Sequence, residues 1–263
     1  MDHHSNWFHY LPWYSDLMAF FQKNFSESVI FRSGLMPKER IFETMHHIFA
    51  GILVVLILVI FSSIANRRLK NTDQAVIPSP KITITNLFEV LMQVLMSLMS
   101  DIIGKDYKRY VPVVATFALF ILVSNLLGLI PGFVPPTDNL NTTIGCGIIV
   151  FIYFNYHGIR VHGASHITHL ANPLGVWWGW FLAPLLFPVE VVGLLVRPLS
   201  LGIRLAGNMI GDHQVLFAFA SIMPLLLPLP FYVLGLLVCI IQTVVFCILT
   251  CVYISLHTQE ESH

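Results

Sequence analysis

Charge is what this 263-residue chain has least of: Asp, Glu, Lys and Arg together make up 11% of it, where a soluble domain carries roughly 25%. That scarcity excludes a water-soluble globular protein. Neither sign is in excess, because Lys plus Arg and Asp plus Glu each total 14, so the chain offers no basic surface to nucleic acid and no acidic tail to a basic partner. Cysteine is sparse as well. Cys146, Cys239, Cys247 and Cys251 all lie in apolar stretches, which suits small buried hydrophobes better than a disulfide framework or a zinc cage. Neither a basic n-region nor an apolar h-region precedes residue 47, so no cleavable signal is expected. Internal repeats and low-complexity tracts are missing too. What remains is apolar: 56% of the residues are hydrophobic and the mean hydropathy is +0.76. The chain reads as an all-α polytopic membrane protein.

A hydrocarbon core of about 30 Å needs roughly 20 apolar residues in a helix. Residues 47–65 supply a first, vertical span, closed by Asn66, Arg67, Arg68 and Lys70. A second lies within 111–137 and is expected to end at Pro131-Gly132; a third covers 143–156 and can borrow length from Asn139 onwards. Orientation follows from Lys and Arg. The segment between the first two spans holds seven of them and the PPTDNLN link after the second span holds none, so residues 66–110 are expected inside and residues 1–46 outside. Within the inner segment, 86–103 sets Leu87, Leu91, Val94, Leu98 and Ile102 against Glu89, Gln93, Ser97 and Ser100, opening with a capping-box pattern from Asn86 to Glu89. This predicts an amphipathic helix along the inner surface.

Residues 111–156 then form a two-span hairpin and 157–175 an inner interfacial loop. From 176 to 223 no turn is evident, and a helix of that length must be strongly tilted or bent. Pro184, Pro188 and Pro198 supply bends, and Pro224, Pro228 and Pro230 break the chain before a second long helix over 231–256. The tilted two-helix hairpin thus covers 176–256, and a tail at 257–263, with Glu260 and Glu261, ends inside.

The chemistry is concentrated in FPVEVVGLLVRPLSLGIRLAGNMIGDHQ, residues 187–214. Glu190, Arg197, Arg204, Asp212 and His213 sit there in a segment otherwise fit for hydrocarbon. An Arg at the centre of a membrane helix costs about 2.5–3.5 kcal/mol on insertion scales, so such groups face protein or water and mark ion pathways. Seven residues separate Glu190, Arg197 and Arg204 in turn, a drift of only about 20° per step. One helical face therefore reads Glu190, Gly193, Arg197, Ser200, Arg204, Gly207, Asn208 and Gly211. Its small residues let another helix approach closely. Charges that merely pair to hold a helix bundle are the plainer reading for Arg197. They suit Arg204 less well, since it has no carboxylate three or four residues away.

RPLSLGIRLAGNM, residues 197–209, closely resembles the signature of subunit a of the rotary F-type ATP synthases, the membrane stator facing the ring of c subunits. The resemblance continues through Glu190, the helix bearing Gln242, PTDNLNTT and the inner amphipathic helix, covering most of residues 40–257. It implies a subunit without catalysis or cofactor of its own, working with a c-subunit ring and peripheral-stalk b subunits in an energy-coupling membrane such as a bacterial inner membrane. It makes Arg204 the essential charge, with Asn208 and Gln242 as polar neighbours of the ion path. At the position of His213 bacterial members often carry a carboxylate, and at Gly235 some carry His or Glu. The outer carboxylate role is therefore expected to fall to Asp212 with His213, the division between them being left open.

Physical chemistry agrees with that assignment. An Arg does not release its proton within a protein, so Arg204 is unsuited to relaying protons and well suited to being a fixed positive charge. Glu190 lies nearer the inside and Asp212 with His213 nearer the outside, which is the order two offset half-channels require. Arg197, nearer the inner surface, reads as a residue that steers ions or touches lipid. Three further features have plain readings. His157, His162, His166 and His169 fit a solvated interfacial surface better than the metal site of an intramembrane hydrolase, since HExxH is missing. Trp177, Trp178 and Trp180 fit an aromatic belt, and Cys247 with Cys251 fits packing. Whether the ion is a proton or sodium is not encoded here, because its carboxylate belongs to the partner.

Overall fold

Long apolar stretches with few breakers have one way to satisfy their backbone in lipid, which is to close every hydrogen bond within a helix. The computed structural model describes residues 46–69, 84–130, 132–163, 179–222 and 228–258, with single positions at 16 and 19. Among them the long elements are α1 (His46–Leu69), α2 (Ile84–Ile103), α3 (Val111–Gly128), α4 (Leu140–His162), α5 (Gly179–Ile222) and α6 (Pro228–Thr258). All six are long and apolar enough to cross a membrane. Short 3-10 turns at Tyr107–Arg109 and Pro136–Asp138 precede α3 and α4. The N-terminal segment before residue 46 apart from Asp16 and Ala19, His166 and His169, Trp177 and Trp178, Pro224 and the tail from 259 lie outside the described residues.

The surface is inverted relative to a soluble protein: Ile52, Val59, Ile152, Val192 and Val233 are all more than half exposed, as lipid-facing residues are. The core lies where α2, α3, α4, α5 and α6 meet, around Met99, Ile121, Phe154, Leu205 and Ile254. Cys146, Cys239, Cys247 and Cys251 are free and buried, packing as small hydrophobes. The most extensive pairing is α5 on α4. It depends on two glycines. A Cβ at Gly202 would stand 2.9 Å from the Ile144 backbone, and one at Gly147 would stand 2.5 Å from the Pro198 carbonyl oxygen. Backbone cannot step aside as a side chain can, so Gly147→Ala and Gly202→Ala are each expected to cost about 1–3 kcal/mol. Gly193→Ala, whose Cβ would meet nothing within 4 Å, is the control. Equal retention of all three variants in heated, detergent-solubilised membranes would contradict this account of the packing.

Several boundaries differ from the sequence reading. The third helix, α3, stops at Gly128, before Pro131. Helix α4 begins directly after Asn139, whose side chain accepts from the Asn141 N–H at 2.9 Å, and it runs on to His162. His157 is therefore not on a solvated loop. It is buried within α4, with ring centroids of Tyr110 and Tyr153 at 5.2 and 4.6 Å. Pro228 and Pro230 do not break the chain but open α6, where a missing N–H costs nothing. Asn86 lies inside the first turn of α2, so the capping box is not formed. The expected apolar stripe of α2 is also rotated: Leu87 and Val94 are exposed, while Leu95, Met99 and Ile103 are buried. The reason is that α2 packs on α6, α1 and α3, and its remaining apolar side chains face outward as those of its neighbours do. Ser255 of α6 donates to the Ile102 carbonyl at 3.1 Å, which fastens that contact.

Candidate functional site

One uninterrupted helix carries all five ionisable residues of the 187–214 stretch. Fourteen residues separate Glu190 from Arg204 and eight separate Arg204 from Asp212, or about 21 and 12 Å along the axis. In a strongly tilted helix the depth that these residues cover is smaller than that axial separation.

The face predicted for ion transfer is open at Gly193, Arg204, Gly207 and Gly211, whereas Glu190, Arg197, Ser200 and Asn208 on it are half-buried. Arg204 is exposed, and Cβ atoms added at Gly193, Gly207 or Gly211 would meet nothing within 4 Å. The opposite face, with Leu201, Gly202, Leu205, Ala206 and Met209, is buried. Beside Arg204 on α5, Leu199 and Ile203 are exposed, as are Leu237 and Ile241 farther along α6. Among the described residues no carboxylate pairs with Arg204. Glu190 is half-buried and likewise without an ion pair among them. Ser200 turns back on its own helix, donating to the Arg197 carbonyl at 2.9 Å.

The register of α5 against α6 places the polar neighbours. At one end the Arg197 guanidinium lies 5.7 Å from the Tyr253 ring centroid, and at the other the Phe219 and Phe231 rings stack at 4.2 Å. Equal stretches of the two antiparallel helices separate these contacts, so Asn208 lies level with Gln242, and Arg204 one turn nearer the Arg197 end. Thr243 and Thr250 satisfy themselves on carbonyls of their own helix at 2.8 Å. Gln242 is half-buried, and its amide has no such bond among the described residues.

Nine residues past Arg204, His213 points to the opposite side of α5, since nine steps of 100° leave it about 180° away. It reaches into the protein. Its Nε2 donates to the Gly128 carbonyl at 3.0 Å, and its Nδ1 lies 3.9 Å from Asp138 Oδ2. Gly128 makes this approach possible, because a Cβ there would sit 3.0 Å from that ring nitrogen. Next to Asp138, Thr137 donates to Asn125 Oδ1 at 2.8 Å. Among the described residues, Ser124 Oγ, Asn125 Nδ2 and Asp138 Oδ1 are buried atoms without a hydrogen-bond partner, as is Asp212 Oδ2 on the residue before His213. Such atoms are ordinarily satisfied by water. Asp212 and His213 thus stand in different surroundings. Asp138, Asn125 and Ser124 join this group in the structure without a signal of their own in the sequence, although Asp138 stands in the PTDNLNTT motif.

Comparison with known proteins decides the family. The ATP synthase A chain family model matches residues 48–255. The chain belongs to the ATP synthase A chain family. Among relatives, an ATP synthase subunit a of Sorangium cellulosum is 40% identical over 217 residues, covering 82% of this chain and 83% of that protein. One of Geobacter sulfurreducens is 43% identical over 80% of this chain and 86% of its own. A third, subunit a 1 of Syntrophotalea carbinolica, reaches 47% over 68% and 74%. The family match spans the open face of α5, the level pair Asn208 and Gln242, and the buried group behind His213.

Proposed function

We propose that this chain is the ion-translocating stator subunit of the membrane sector of an F-type ATP synthase, coupling proton or sodium flow to rotation of a c-subunit ring. The observation that carries this reading is Arg204: a permanent cation on an open, apolar, glycine-flanked helix face, with no counter-ion among the described residues. The missing charge is to come from outside the chain. A carboxylate carried past on a ring meets that need, held ionised beside Arg204 and reprotonated after leaving it. Two half-channels serve it. The outer one comprises Asp212, His213 and Asp138, with hydration at Ser124 and Asn125. With its Nε2 proton committed to the Gly128 carbonyl, His213 offers Nδ1 to an arriving proton, facing Asp138. The inner one starts at Glu190. Asn208, Gln242 and Ser200 line the path between, and the chain does no catalysis by itself.

In this arrangement the protein is a multi-pass component of a bacterial inner membrane, bound to the ring, to peripheral-stalk b subunits and to the rest of the complex, with α2 along the inner surface. The excess of Lys and Arg over 66–110 puts that segment inside. Single cysteines at Lys108 and Val134, both exposed, in a background without native cysteines, are expected to react with an impermeant maleimide from opposite sides of the membrane. Thr137, in the same link, is fully buried and is no substitute. Labelling of both sites from one side would overturn the topology and with it the inner and outer roles of Glu190 and Asp212.

A further inference from the structure

The α5 helix has a weak point beside its most important residue. Pro198 has no N–H, so the Leu194 carbonyl loses its helical partner, and helices kink at such positions. Beyond Pro198 the helix is held against α4 by the Gly202 contact with the backbone of Thr143 and Ile144. Before it, the arm carrying Glu190 is less well fastened: Val192, Leu195 and Val196 are exposed, and a Cβ at Gly193 would meet nothing within 4 Å. A kink of about 20° at Pro198 acting over the roughly 12 Å to Glu190 would shift that residue by about 4 Å relative to Arg204.

Arg197 sits where such a kink would be resisted. Its Nη1 lies 3.5 Å from His257 Nε2 and its guanidinium carbon 5.7 Å from the Tyr253 ring centroid, both on α6. The polarity of the contact is defined. His257 Nδ1 is 2.8 Å from the Tyr253 carbonyl, which can only accept, so Nδ1 carries the ring proton and Nε2 of the neutral imidazole accepts from Arg197. His257 is itself buried, its ring 4.6 Å from that of Phe154 on α4. The sequence reading of Arg197 as a residue that steers ions or touches lipid is therefore replaced by an engagement within the chain.

We infer that Arg197 is a positioning residue: clamped by Tyr253 and His257, it fixes the Glu190 arm of α5 to α6 across the Pro198 weak point and so keeps the inner half-channel aligned with Arg204. The effect on transport rests on the function proposed above; the clamp itself does not. In the assembled complex, Arg197→Gln is expected to lower ATP-driven pumping roughly tenfold, because a displacement of even about 1 Å is costly to a transfer step. Arg197→Lys keeps a donor for His257 and a cation for Tyr253 and should restore most of the rate. His257→Leu should reproduce the Arg197→Gln defect, and the double variant should be no worse than either single one. Spin labels at Val192 and Leu256, both exposed, in a background without native cysteines, read the clamp directly, and their distance distribution should broaden in Arg197→Gln and in His257→Leu. Unchanged distances, additive defects, or Arg197→Lys as impaired as Arg197→Gln would each overturn the inference. Should Arg204→Ala pump normally, the functional reading falls while the spin-label distances still judge the clamp.

Discussion

Arg204→Ala is expected to abolish ATP synthesis and ATP-driven ion pumping while leaving the subunit in the complex. Assembly survives because Arg204 is exposed on α5 and makes no hydrogen bond or ion pair among the described residues. On the function proposed above, transport fails because nothing then keeps the passing carboxylate ionised. Two unit charges about 4 Å apart interact by about 4 kcal/mol at an effective dielectric of about 20, a factor of roughly a thousand in the population of the charged form. The same charge repels cations between the half-channels, so passive leak through the membrane sector should persist or rise as coupled transport stops. Arg204→Lys tests whether charge alone suffices. It retains the charge but loses the planar fork, and a desolvated Lys gives up its proton more readily, so it should fail as well. Pumping at the unmodified rate in Arg204→Ala, with the variant subunit shown to be in the complex, would refute the mechanism.

Neutralising the outer group has the second-largest expected effect. Asp212→Asn with His213→Gln should slow ion transport in both directions by roughly a hundredfold, the lower end of what a positioned proton-transferring group contributes. Assembly should be retained, since Gln can still donate toward the Gly128 carbonyl. The structure separates the two residues. His213 is tied to α3 and faces Asp138, whereas Asp212 has a buried oxygen without a partner. Either single change should therefore leave a partial path, and adding Asp138→Asn to the pair should remove most of what remains. Transport measured against external pH would show it: a rate and pH profile equal to those of the unmodified protein would mean that the outer path runs elsewhere.

Much of this was legible along the chain because it is local. A helix repeats every 3.6 residues, so the spacing of Glu190, Arg197 and Arg204 determines that they share a face whatever surrounds them. Apolar stretches of sufficient length determine the helices, and RPLSLGIRLAGNM carries the family. Boundaries were less legible, since His157 and Tyr156 differ in hydropathy but not in helical competence, and α4 continues through both. In α2 the polar positions alone misplaced the buried face, because in lipid an apolar side chain is as well placed outside as in.

Contacts between residues remote in sequence had no periodicity to betray them. His213 meets the Gly128 carbonyl across 85 positions and Arg197 meets His257 across 60, and neither pairing leaves a pattern in composition or spacing. Which side of α5 stays open followed from packing as well. Small residues occur on both sides, yet Gly202 is pressed against the Ile144 backbone while Gly193, Gly207 and Gly211 meet nothing within 4 Å. Helical periodicity places a residue on a face of its own helix, and only the arrangement of neighbouring helices makes that face a packing surface or leaves it for a partner.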